Sequence, residues 1–399
     1  MIRERRGSVT VFIMVFLTTI LSLTMLFIGG TKAMAIDSGV QSLGHLWAKS
    51  ILGEYTDKLY ERYGIFAYDA SSPRSVDNKL NHFCDFTFKN KKYIDCKGCS
   101  SSLYMYSLAD LENFQKQINL AGITEKQGNF KNVVPDKTVL SERIIENEAL
   151  VANLPSKDRI EGFSLTNFIN KLKQVNNIRD VVKAGGEEAI LQKYIKNHFQ
   201  SLTLQDEDDI SFLKYELEYI IAGKESDKKN QKTVRNKIIA AREALNIAYI
   251  NNNPTMKNIA LIAAELISPP PTVIATQQAL IASWAFFESV NDYELLVHGK
   301  KVPLMKDDKS WAIDLKSIIT NTNPDYIETE NQNGNTYNEY LLAMIFLMNT
   351  NDKLLRVMDL IQMNMKYCYY GDFNIANHYT GLKYNMEVNG KVHSFEAKY

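Results

Sequence analysis

The sequence predicts a mainly α (α+β) protein. An N-terminal transmembrane helix continues into a long amphipathic helix, and an α-rich extracytoplasmic domain with small antiparallel β elements and a C-terminal hairpin follows. Three observations predict this. Ser8 to Thr31 carries no charged residue. Apolar residues then recur every three or four positions through most of the chain, the spacing of one helical face. Near the end, Asn389-Gly390 stands between two alternating apolar-polar runs, the signature of a type I′ hairpin.

The first run is almost wholly Val, Ile, Leu, Phe, Met and Thr from Val9 to Ile28. At a rise of about 1.5 Å per residue, roughly 20 such residues cross a bilayer core of about 30 Å. Arg3, Arg5 and Arg6 precede the run, opposed only by Glu4. The positive-inside bias therefore places the N-terminus in the cytoplasm and the rest outside. Ala33-Met34-Ala35 has the small-x-small form of a signal-peptide cleavage site. The run is nevertheless longer than an ordinary signal core, and Lys32 intrudes before that site, which favours a retained signal-anchor. Val40, Leu43, Trp47, Ile51, Tyr55, Leu59 and Tyr63 continue at helical spacing, so an amphipathic helix is expected to about Gly64. A kink is expected near Gly29-Gly30, because each glycine costs a helix about 1 kcal/mol relative to alanine.

Four regions follow: residues 1–31 as cytoplasmic tip and span, 32–64 as the helical continuation, 65–135 as a small β-containing subregion plus a helix, and 136–399 as the α-rich domain. Aromatic and β-forming residues suggest strands over Phe83–Lys89, Lys92–Asp95 and Leu103–Ser107. Helices are expected over Leu108–Leu120, Val139–Leu154, Leu165 to about Phe199 with a break at Gly185-Gly186, 227–250, Thr255–Ile267, Thr272–Leu296, Tyr337–Met348 and Asp352–Met365. Ser268-Pro269-Pro270-Pro271 forces a stop, since proline cannot continue a helix interior. His298-Gly299-Lys300 suggests a tight hairpin. Asp206-Glu207-Asp208-Asp209 suits a helix start better than a calcium loop, because the EF-hand glycine and glutamate are missing.

Composition excludes little. Lys and Arg number 46, as do Asp and Glu, so no electrostatic footprint for nucleic acid exists and none is expected as a partner. Cys96-Lys97-Gly98-Cys99 is a single C-x-x-C with Cys84 nearby and Cys368 far away. A disulfide between Cys84 and either Cys96 or Cys99 is the simplest reading for an exported region, with thiols, a metal or a redox motif as alternatives. No cofactor is expected: no nucleophile elbow, zincin motif, P-loop or dinucleotide fingerprint occurs. The six histidines are scattered.

One buried site is expected. On a helix through 272–296, Glu288 lies about 40° and Asp292 about 80° from Trp284 on the core-facing stripe. A carboxylate there needs compensation, so Arg242 or Arg356 is expected to complete a buried ion-pair network. The enzymatic alternative is an unpaired Glu288 facing a second carboxylate across a cleft.

Arg5-Arg6-Gly7-Ser8-Val9-Thr10-Val11-Phe12 running into the apolar span resembles the start of the TadE/TadG-like, pilin-like membrane proteins of tight-adherence pilus systems. The likeness continues in Gly53-Glu54-Tyr55, Leu59-Tyr60-Glu61-Arg62-Tyr63-Gly64-Ile65-Phe66 and Leu108-Ala109-Asp110. Glu218-Tyr219-Ile220, Arg242-Glu243-Ala244-Leu245-Asn246, Trp284-Ala285 with Glu288 and Asp292, Gly299 with Val302-Pro303-Leu304, and Asp359-Leu360-Ile361-Gln362 resemble, more specifically, an uncharacterised Gram-positive membrane protein family found with such pilus genes. The resemblance implies an N-terminal helix that anchors in the lipid bilayer and packs with pilus or secretion-assembly membrane proteins. It implies a processing site between Gly7 and Ser8. The fifth residue after that cut is Phe12, where prepilins have Glu, which favours an accessory or tip-like component over a major pilin. An anchored enzyme acting on envelope polymer and a ligand-binding ectodomain remain the other function classes.

Overall fold

The computed structural model describes residues 6–124, 154–183, 185–205, 211–320, 326–329 and 334–399. The described chain is mainly helical with small antiparallel sheets. It divides into two units, one of Met1–Thr56, Phe66–Leu108 and Ala376–Tyr399, the other of Asp57–Ile65 and Ala109–Ile375. The C-terminal hairpin thus belongs with the N-terminal helix, a partition that the four expected regions do not contain.

The first unit is built on α1 (Arg6–Leu52). Every residue from Val9 to Ala35 is exposed. From Val40 the same helix buries one face, through Val40, Gly44, Trp47, Ala48 and Ile51. The helix runs without a break through Gly29-Gly30. It ends at Leu52 rather than near Gly64, because Gly53 follows. The residues expected to extend it form the separate α2 (Asp57–Tyr63) of the second unit.

Against α1 lies a three-stranded antiparallel sheet in the order β2 (Cys96–Ser102), β4 (Gly381–Val388), β5 (Lys391–Lys398). A second, two-residue pairing joins β1 (Tyr68–Asp69) to β3 (His378–Tyr379). The hairpin matches the sequence expectation: Asn389 and Gly390 both have positive φ, at 52° and 78°, as a type I′ turn requires. Leu382, Tyr384, Met386 and Val388 face inward at period two. A Cβ on Gly44 would fall within the ring of Phe395, and Tyr384 Oη donates to the Gly44 carbonyl at 2.8 Å. Glycine is what lets the helix approach the sheet this closely.

Three strand expectations fail here. Residues 83–88 lie in α3 (Pro73–Phe88), not in a strand. Val76, Leu80, Cys84 and Phe88 are its buried residues, so the four-residue period outweighs the β propensity of the aromatics. Residues 92–95 are turn and coil, with β2 starting at Cys96. Residues 104–106 form a 3-10 turn instead of a third strand. Helix α3 also closes the edge of β2. Asn81 Oδ1 accepts from Cys99 N–H and Asp77 Oδ1 from Ser101 N–H, both at 2.6 Å. One turn further on, Cys84 forms a disulfide with Cys96. Of the two expected pairings the first is therefore formed, and Cys99 remains a buried thiol that burial pushes up to about 12.

The second unit contains α4 (Leu111–Thr124), α5 (Leu165–Leu172), α6 (Gly186–His198), α7 (Glu216–Ala222), α8 (Asp227–Asn252), α9 (Pro254–Ile267), α10 (Val273–Val297), α11 (Leu315–Ile319), α12 (Tyr337–Phe346) and α13 (Thr350–Cys368). Caps explain several boundaries. Ser226 caps α8, Asn253 caps α9 with Pro254 in its first turn, and Thr336 with Glu339 forms a capping box on α12. Helices α8 and α10 pack along each other, and α9 packs on both. The hairpin expected at 298–300 is absent, because α10 continues to Val297 with Leu295 and Leu296 buried, and Gly299 at φ 77° ends it. The expected helix over 139–154, except for its last residue Leu154, and the acidic cluster at 206–209 lie outside the described residues.

Substituting Gly44→Val should therefore destabilise the full chain by about 1–3 kcal/mol through overpacking. A thermal melt in detergent beside the wild type checks this; an unchanged midpoint would show that α1 is not seated on Phe395.

Candidate functional site

Helix α10 places Glu288 and Asp292 four residues apart on its buried face, beside Trp284 and Ala285. Both carboxylates are fully buried. From α8, Arg242 donates through Nε to Asp292 Oδ2 at 2.9 Å and through Nη1 to the carbonyls of Pro303 and Leu304 at 3.0 and 2.7 Å. The sequence sets Arg242 against Glu288, but the structure pairs it with Asp292. The partner of Glu288 is different. Lys306 Nζ lies 2.6 Å from Glu288 Oε1 and 2.7 Å from Asp292 Oδ1, and donates to the Ser310 carbonyl at 2.7 Å. The backbone N–H of Ile313 also donates to Glu288 Oε2, at 2.8 Å.

Lys306 reaches this position because its loop is locally ordered. Asp307 Oδ1 accepts from Ser310 N–H and Ser310 Oγ from Asp307 N–H, each at 2.8 Å. Asn246, one turn after Arg242, donates to Ser289 Oγ and to Asp292 Oδ2 at 3.0 and 3.2 Å. Two cations and two anions are thus enclosed together. Burial pushes the Glu288 carboxyl up, against the attraction of Lys306. Burial opposes the charge of Asp292 too, but Arg242 and Lys306 together outweigh it and hold that carboxyl below its ordinary value.

Arg356 is not part of this network, contrary to the sequence expectation. It sits on α13, with Nη1 donating to Ser156 Oγ at 2.9 Å and Asp359 Oδ2 at 3.5 Å. Asp359 accepts from Tyr219 Oη at 2.8 Å and Ser156 N–H at 2.9 Å. Burial pushes the Asp359 carboxyl up despite these bonds. The guanidinium lies against Gly223, where a Cβ would collide with it. Gly223 also takes the left-handed conformation that ends α7.

A third group escaped the sequence reading. Glu216 and Glu218, both on α7, are fully buried. Glu216 accepts from Gln200 N–H at 2.9 Å and Asn364 Nδ2–H at 2.7 Å. Glu218 Oε1 accepts from Leu202 N–H at 2.9 Å and Tyr337 Oη at 3.0 Å, while its Oε2 has no hydrogen-bond partner among the described residues. Burial pushes Glu218 up to about 7.

Every described buried carboxylate in these groups is tied into the fold, and among the described residues no cluster of His, Cys, Asp or Glu is arranged to hold a metal. Gly7 and Ser8 lie in the first turn of α1. The helix that carries them is the one described helix long and apolar enough to cross a membrane, and it is the clearest functional feature of the chain.

Removing Lys306 would leave Glu288 and Asp292 buried with one fewer cation. Lys306→Met should therefore cost about 3–5 kcal/mol in a denaturant melt; a loss below about 1 kcal/mol would show the pair to be hydrated instead. Glu218 supplies a pH test. Its folded pKa is above its ordinary value of 4.5, so its contribution is fully present below that value and is lost as pH rises through about 7. The expected loss is about 3 kcal/mol relative to Glu218→Gln. Parallel pH–stability curves for the two proteins would remove this assignment.

A family model described as "Family of unknown function (DUF5702)" matches residues 110–390, a span that takes in all three buried groups and leaves α1 outside. No curated protein and no solved structure matches the chain.

Proposed function

The chain belongs to this family of unknown function, and from that premise we propose that it is a membrane-anchored, non-enzymatic extracytoplasmic protein, an accessory or tip-like component of a tight-adherence-type pilus or secretion assembly. The observation that carries the reading is α1. Its first part is exposed and apolar from Val9 through Ile28 and stays exposed to Ala35, while its last turns are core of a folded unit. An apolar surface of that length is unfavourable in water and suits a bilayer. With Arg3, Arg5 and Arg6 retained inside, the folded units lie outside, where the Cys84–Cys96 disulfide is stable.

Two further features support an assembly role over catalysis. The buried carboxylates of α10 are paired with Arg242 and Lys306, which is the arrangement expected of a structural network. On α9 and the start of α10, Ile259, Ile262, Leu266, Ile267 and Ile274 are all exposed, an apolar surface of the kind that marks protein contacts. The pilus assignment itself rests on the resemblance of the N-terminal motif and the stretches that follow it.

Two measurements test this. In intact protoplasts, added protease should digest a C-terminal tag while a cytosolic control survives; a protected tag would reverse the topology. A photo-crosslinker placed at Phe12 or Phe16 in the native host should then capture membrane proteins of the tight-adherence system. Crosslinks to lipid alone would leave an anchored protein and remove the assembly role.

A further inference from the structure

Within the first unit, a notch of about 320 Å³ opens between α1 and the turn that leads from α3 to β2. Its α1 wall includes Lys32, Ile36 and Leu43, and its opposite wall includes Lys91, Tyr93 and Ile94. The lining carries two lysines and no carboxylate. Lys32 Nζ lies 4.9 Å from the centre of the Tyr93 ring, and Lys91 Nζ 5.7 Å from that of Phe88. Among the described residues neither lysine forms an ion pair. Lys89 and Lys92 add two more exposed cations on the same turn, and Phe86 and Tyr93 are exposed beside them at 81% and 52%.

The position of this notch along α1 gives it meaning. Lys32 is the first charged residue after the uncharged run from Ser8 to Thr31. When that run fills the hydrocarbon, Lys32 stands in the headgroup layer, and the turn that touches it stands there too. Lysine at such a boundary extends its ammonium toward lipid phosphates while its methylenes stay in apolar surroundings, and exposed aromatic rings favour the same layer. Basic groups clustered next to a span attract anionic lipid.

We propose that the notch between α1 and the 89–94 turn binds an anionic glycerophospholipid of the leaflet in which α1 emerges. The phosphate is held between Lys32 and Lys91, and the glycerol carbons lie against Ile36 and Ile94. The bound lipid fixes the first unit at the bilayer surface. This inference rests on the membrane-spanning reading of α1.

The test uses the full chain. Membranes are first washed with carbonate; a chain released by that wash ends the anchor reading and this inference with it. The retained protein is purified in mild detergent with a mixture of phosphatidylcholine and phosphatidylglycerol, and the lipids that stay bound are counted by native mass spectrometry. Wild type should prefer phosphatidylglycerol by about tenfold. K32Q/K91Q should lose the preference, and K32R/K91R should keep it, with helical content and the Cys84–Cys96 disulfide unchanged in both. Equal retention of the two lipids by wild type, or an undiminished preference in K32Q/K91Q, overturns the lipid site and leaves the anchor standing. Displacement of the lipid by inorganic phosphate at physiological concentration would make the site one for soluble phosphate and would equally overturn it.

Discussion

Burying an ion is costly unless its charge and its hydrogen-bonding groups are answered in place, and the second unit is arranged around that constraint. Arg242 on α8, Glu288 and Asp292 on α10, and Lys306 on the loop after α10 come from three segments and are all buried. Each fixes the others. Arg242 holds the loop carbonyls of Pro303 and Leu304. Lys306 ties that loop to both carboxylates. The backbone of Ala312 and Ile313 then caps Glu288, where Trp284 and Trp311 also donate to the Ile313 carbonyl. The apolar cluster of Ile250, Ala260, Ile281 and Trp284 packs beside this network. Hydrophobic burial supplies the drive for α8, α9 and α10 to associate, and the ions restrict how they associate.

The first unit solves a different problem. One helix has to be apolar all round over its first part and amphipathic over its last turns, and its sequence changes character between Thr31 and Val40. The sheet it supports draws strands from residues 96–102 and from the chain's last nineteen residues, 381–399. The edge strand β2 would otherwise present unpaired backbone groups. Asp77 and Asn81, one helical turn apart, take up two of its N–H groups, and the Cys84–Cys96 disulfide adds a covalent tie at the same edge.

Four of the short stretches behind the pilus-family resemblance coincide with buried polar residues: Glu218 and Tyr219, Arg242 and Asn246, Glu288 and Asp292, and Asp359. They mark the framework of the second unit. An activity does not follow from them, since a paired and enclosed carboxylate meets no substrate. For this reason the functional reading rests on α1 and on exposed surfaces, and the buried charges serve the fold.

The long apolar N-terminal helix, the helices from α8 through α10, the proline stop between α9 and α10 and the Asn-Gly hairpin were determined by the sequence alone. Each depends on local rules: the length of an apolar run, the 3.6-residue period, proline's missing N–H, and the positive φ that Asn-Gly accepts. The burial of Glu288 and Asp292 was also legible, because periodicity says which way a side chain faces. Which cation answers Glu288 was not. Lys306 lies in a polar loop with no period, and only the Asp307–Ser310 turn and the packing of that loop under α8 bring it to Glu288. The same limit hid Glu216 and Glu218, whose helix is two turns long, and misplaced 83–88 as a strand until the stripe of Val76, Leu80, Cys84 and Phe88 met the sheet. The union of α1 with residues 381–399 could come only from tertiary structure, since strand pairing across nearly the whole chain leaves no trace in local sequence.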